Sequence, residues 1–85
     1  MTLELLRHRV RQRIVDWLGR RPQGQTQCEL GEALALFTAA IHYHIKLLAG
    51  IGIVAIAATR AGPDGITEKL YVVTELASGS RRLAA

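Results

Sequence analysis

Apolar residues along this chain fall into three stretches of helical spacing followed by two of strand character. In the first, Leu3, Leu6, Val10, Ile14 and Trp17 lie within about an 80° arc at 3.6 residues per turn, and arginines occupy the remaining surface. Gly19, Pro22 and Gly24 then close the segment. Thr26 followed by Glu29 forms a capping box, which predicts a second helix over 27–35 with Leu30, Ala33 and Leu34 inward. Leu36 and Phe37 mark a tight turn, and Thr38 is expected to cap a third helix reaching residue 49. Along it Ile41, Ile45 and Leu48 recur at helical spacing until Gly50 and Gly52 break the run.

Strands over 53–60 and 66–74 follow, separated by Gly62-Pro63-Asp64-Gly65, a strong turn signal. Three helices and a β-hairpin in that order predict an α+β, mostly α fold: a winged helix-turn-helix of three helices plus a C-terminal β-hairpin wing. The domain is expected over 1–75, with 76–85 as a short tail containing Ser78-Gly79-Ser80. Residues 53–58 carry no charge on either face, although a wing strand should be half solvated. Their outer side is therefore expected to pack on another subunit or on the first helix.

At 85 residues the chain makes one domain, with a core that is marginal unless a partner covers part of it. Its 49% hydrophobic and 21% charged residues belong to a folded chain, not a disordered one. One cysteine makes no internal disulfide, and a reducing cytoplasm is the expected location. Arg7, Arg9, Arg11 and Arg13 stand where an export signal would need an apolar stretch. The longest uncharged run, 47–59, is shorter than the roughly 20 residues that span a bilayer.

The net charge of +4 and a pI near 10.0 favour nucleic acid or another polyanion as partner. The excess is uneven. Residues 1–21 hold six arginines against Glu4 and Asp16, whereas residues 22–59 hold Lys46 against Glu29 and Glu32. The basic excess thus sits on the first helix, either as a phosphate- or partner-facing stripe or as a plain solvated face.

Three segments resemble the ArsR-like group of winged-helix transcriptional regulators over roughly residues 5–74. His8-Arg9-Val10-Arg11-Gln12-Arg13-Ile14-Val15-Asp16-Trp17-Leu18 is similar to that group's opening helix. Glu29-Leu30-Gly31-Glu32-Ala33-Leu34 resembles its E-L-A-E-x-L second helix, and His44-Ile45-Lys46-Leu47-Leu48-Ala49-Gly50-Ile51-Gly52-Ile53-Val54 its H-L-K-x-L-x-x-A-G-L-V. Where the group has Gly then Leu-Ser at the turn, this chain has Ala35 then Leu36-Phe37, which leaves the cap to Thr38. Many members carry a further C-terminal helix that builds the dimer, for which residues 75–85 are too short and too interrupted by glycine.

The resemblance implies a cytoplasmic DNA-binding transcriptional regulator acting as a homodimer on double-stranded DNA. Its third helix would enter the major groove and its hairpin would touch the backbone. Outward positions on the helical wheel are Ala39, His42, Tyr43 and Lys46, with Ala40 at the margin and Thr38 at the start. Arg60 and Lys69 flank the hairpin turn and are candidates for backbone contacts. The alternative is a winged-helix module that docks a protein on its arginine-rich first helix, favoured by Ala39 and Ala40 and by the near-neutral recognition half.

His42 and His44 point about 160° apart on a helix and share no metal ion, and His44 is expected to be a packed, hydrogen-bonded histidine. Metal-sensing members of the group place a C-x-C pair before the second helix; here Thr26 precedes Cys28, and one thiolate does not make a site. No cofactor is expected. No nucleophile–base set, carboxylate pair or phosphate-cradling loop appears, so enzymatic activity is not expected.

Overall fold

The computed structural model describes residues 7–75. The tail over 76–85 and the predicted core positions Leu3 and Leu6 lie outside the described residues. Three helices, α1 (Arg9–Gly19), α2 (Gln27–Leu34) and α3 (Thr38–Gly50), are followed by an antiparallel hairpin of β1 (Val54–Ala61) and β2 (Thr67–Val73). This is the winged helix-turn-helix layout. Among the described residues no single helix is long and apolar enough to cross a membrane.

His8 is extended (φ −66°, ψ 126°) and its Nδ1 accepts the Val10 N–H, so it caps α1 at Arg9. The inward face is centred on Ile14, Val15 and Leu18, with Val10 and Trp17 at its margin. Trp17 is half-buried: its Nε1 donates to Gln25 Oε1 and the Arg21 guanidinium lies 3.2 Å from its ring centroid.

The capping box on α2 forms as the sequence predicts. Thr26 Oγ1 accepts the Glu29 N–H and the Glu29 carboxylate accepts the Thr26 N–H. The inner face corrects the predicted one, because Gly31 is buried with Leu30 and Leu34 while Ala33 is exposed. Gly31 packs tightly against the following turn: a Cβ there would lie 2.9 Å from the Leu36 carbonyl oxygen.

Both α2 and α3 end in the same motif. The Leu36 N–H donates to the Gly31 carbonyl (2.9 Å) and the Ala35 N–H to that of Glu32 (3.4 Å). Likewise the Ile53 N–H donates to Leu48 (2.9 Å) and the Gly52 N–H to Ala49 (3.1 Å). Each motif needs one residue in the left-handed region. Gly52 fills it after α3 (φ 80°) and Ala35 after α2 (φ 57°, ψ 46°). Gly50, expected to break α3, is instead its last residue. The α2–α3 connection of Ala35, Leu36 and Phe37 bends the helix axes by 115°, within the usual helix-turn-helix range.

Thr38 does not cap α3. It is the first helical residue, and the N-cap position belongs to Phe37, which supplies no side-chain hydrogen bond. The early turn closes on the Phe37 carbonyl, which accepts from the N–H groups of Ala40 and Ile41, so the helix starts one residue before the only side chain able to cap it.

In the hairpin, Val54 pairs with Val73 and Ala61 with Thr67, and the register shifts between Ile56 and Ala58. A third, short pairing escapes any reading of the sequence: Gln25 and Tyr71 exchange backbone hydrogen bonds of 3.0 and 2.8 Å, tying the segment before α2 to β2. Gly24 permits this approach, with φ 89° and only 3.1 Å from an added Cβ to Leu70 Cβ. The packed core comprises Ile14, Leu18, Leu30, Ile41, Ile45 and Leu48, closed by Ile53, Val54 and Tyr71 from the hairpin side. The first helix lies against β2, not against the uncharged strand β1.

An alanine held in the left-handed region is strained relative to glycine. Ala35→Gly is therefore expected to raise stability by about 0.5–1 kcal/mol, and Gly52→Ala to lower it by a similar amount, in thermal unfolding followed by circular dichroism.

Candidate functional site

The helical wheel of α3 separates two faces sharply. Ile41, His44, Ile45 and Leu48 are buried, while Thr38, Ala39, His42, Tyr43 and Lys46 are exposed and Ala40 is half-buried. No residue of α3 is acidic. The outward side chains from Ala39 to Lys46 are spaced three and four apart, so they form one continuous strip along two turns.

The inward histidine is a structural pivot. His44 Nδ1 accepts a hydrogen bond from Arg11 Nε at 3.1 Å, across the α1–α3 contact. The ring of His8 lies 4.8 Å away and that of Tyr43 packs edge-on at 5.2 Å. Burial first, then the charges of His8 and Arg11, hold His44 below its ordinary pKa of 6.5. It is the packed, hydrogen-bonded histidine that the sequence predicts.

The two hairpin cations part company. Arg60 reaches back to α2, with Nη2 3.3 Å from Glu29 Oε2 and Nε 3.4 Å from Glu68 Oε1. The Thr26 N–H, and behind it this guanidinium, hold the Glu29 carboxyl below its usual range. These pairs are half exposed, so they fix the posture of the hairpin against α2 more than they add to stability. Lys69 instead joins His42 in lining a depression of about 320 Å³ with Thr26, Gln27, Cys28, Thr67, Glu68 and Tyr71. Among the described residues neither Lys46 nor Lys69 has an ion-pair partner.

The arginines of α1 are largely drawn into the fold. Arg11 holds His44, and Arg13 Nη2 donates to the Leu34 carbonyl at the C-terminus of α2 (3.0 Å). Arg20 pairs with Asp16, and Arg21 stacks on Trp17 while donating to its carbonyl. Among the described residues, Arg7 and Arg9 are the arginines left exposed with no such tie.

Comparison with protein-family models and with curated proteins finds no match for this chain. The site therefore rests on its own geometry. Among the described residues no three His, Cys, Asp or Glu side chains are grouped as metal ligands, and Cys28 is exposed.

Reading the sequence missed Phe37. It is 87% exposed at the start of α3, beside the strip it was expected only to lead into. The available signal was a large apolar residue directly before Thr38, in a turn where the resembled group has a polar one. Of the two coverings expected for the outer side of β1, the first helix does not supply one: Ala55 to Ala61 are exposed, Ile56 by half.

Because the unfolded chain binds a proton on His44 at higher pH than the folded chain does, the stability it confers is complete above about pH 6.5. It is expected to decline as pH falls below that value. Denaturant unfolding between pH 8 and pH 5 checks this, and His44→Gln, which keeps an acceptor for Arg11, is expected to flatten the slope.

Proposed function

We propose that this protein is a DNA-binding transcriptional regulator of ArsR-like type, acting in the cytoplasm. Its α3 enters the major groove and its hairpin touches the phosphate backbone. The observation that carries the reading is the exposed, carboxylate-free strip Ala39, His42, Tyr43 and Lys46 beside a hairpin whose Lys69 is unpaired among the described residues. A basic face without acids is what a polyanion needs, and unpaired lysines are the side chains that release counterions on binding. Of the two hairpin cations, Lys69 is assigned the backbone contact, since Arg60 is already engaged by Glu29 and Glu68.

A homodimer on a two-fold site follows from the same reading. The apolar stripe of α1 is consumed by the protein's own core, which leaves β1 as the apolar surface for a second copy. An exposed edge strand with no charge over its first six residues is a ready template for pairing. The same strand favours the second reading, a winged-helix module that docks another protein through β1.

Fluorescence anisotropy with random-sequence duplex DNA at several salt concentrations separates the two. The expected result is affinity that falls with salt, by a slope of about 0.9 per phosphate neutralised. Combining Lys46→Ala with Tyr43→Ala is expected to abolish most of the binding, whereas Arg60→Ala leaves it nearly unchanged. Absence of binding even at low salt would sink the DNA reading in favour of the docking module.

A further inference from the structure

The start of α3 breaks two local rules at one position. Phe37 takes N-cap dihedrals (φ −65°, ψ 145°), where Ser, Thr, Asp or Asn would accept a backbone N–H, and it makes no such bond. It also buries almost nothing, being 87% exposed. A side chain that forgoes both its cap and its burial beside a functional surface marks a place where sequence serves something other than stability.

The chemistry of the neighbouring positions is narrow. Among the residues of α3 there is no Arg, Asn, Gln, Asp or Glu. Those are the side chains that read guanine by O6 and N7, adenine by N6 and N7, or cytosine by N4. Lys46 lies eight residues beyond Thr38, about 12 Å along the axis, too far up the helix to serve the leading turn that meets base edges. What the leading turn presents is Phe37, Thr38 and Ala39 in succession, all exposed, followed one turn on by the exposed His42 imidazole, the one nitrogen-bearing side chain there, and the 58%-exposed ring of Tyr43. Phenyl, threonine-methyl and alanine-methyl groups have one apolar counterpart in the major groove, the C5-methyl of thymine.

We infer that this face recognises thymine methyl groups, with Phe37 and Tyr43 as specificity-determining contacts. The inference rests on the DNA-binding reading and narrows it to a sequence class: duplexes presenting clustered thymines in the major groove. The charge of this surface fits that occupant, because the strip on α3 is free of carboxylates and the lysines at 46 and 69 have no ion-pair partner among the described residues. Lys46 and Lys69 hold the phosphates, and the apolar leading turn supplies the discrimination.

The test selects bound sequences from a random duplex library and then replaces each thymine of the enriched duplex, one at a time, by deoxyuridine. This removes a single methyl group and leaves every hydrogen-bonding edge intact. At least one replacement is expected to weaken the wild-type protein about fourfold. In Phe37→Ser or Tyr43→Ala that loss disappears at the thymine the side chain touches. Phe37→Ser also gains a capping hydroxyl, and its thermal unfolding confirms that the variant is folded. Enrichment without any deoxyuridine effect, or an effect that persists unchanged in both variants, overturns the inference. So does salt-dependent binding with no enriched sequence, which leaves DNA binding standing. A chain that binds no duplex at any salt fails at the earlier reading instead.

Discussion

The geometry of this molecule depends on one close approach, that of the Gly31 backbone to the turn after α2. The Leu36 N–H reaches the Gly31 carbonyl, and a side chain at Gly31 would collide with the Leu36 oxygen. That contact lets the chain reverse in three residues and sets α3 at 115° to α2. Once α3 is held there, Ile41, Ile45 and Leu48 drop into the core formed with α1, and the strip from Ala39 to Lys46 is turned outward. The turn accepts an alanine in the left-handed region, so the fold tolerates local strain at the joint that orients its candidate binding helix.

Charge in this chain acts mainly as internal tie and only locally as surface. The six arginines before residue 22 dominate the composition, yet four of them are spent on a histidine, a helix C-terminus, an aspartate and an indole ring. Arg60 is similarly drawn between Glu29 and Glu68, so one carboxylate closes the capping box of α2 and also anchors the hairpin. Net charge therefore gives the sign of a partner without its address. Under the proposed DNA-binding reading the lysines at 46 and 69, whose ammonium groups have no ion-pair partner among the described residues, supply that address.

Stability is conceded in a few places that lie on the outer surface around α3 and the hairpin. Phe37 offers no cap, Ala35 is strained, and β1 exposes a run of alanines with Ile56. Ala57 stands unpaired where the register shifts between Ile56 and Ala58. The buried side of the same elements follows ordinary packing rules, with no buried side-chain polar atom left unpartnered among the described residues.

Most of the element order was legible in the residues, because periodicity, the Thr26–Glu29 box and the Gly62–Gly65 turn signal are local properties of the chain. The outward face of α3 was legible for the same reason: once Ile41, Ile45 and Leu48 face inward, helical geometry assigns the other side. What pattern alone missed depends on contacts between residues far apart. Ala33 yielded its inward place to Gly31 because only the latter meets Leu36; Thr38 lost the cap because the turn closed on the Phe37 carbonyl; Gln25 paired with Tyr71 across the molecule. Arg60 and Lys69 look alike in sequence and differ in the fold, since only one can reach Glu29. The chain by itself determined its helices, its hairpin and the sign of its charge, all set by neighbours in sequence. Tertiary structure decided which glycine is indispensable, which cations remain available and that Phe37 stands in solvent, because each depends on what folding brings alongside it.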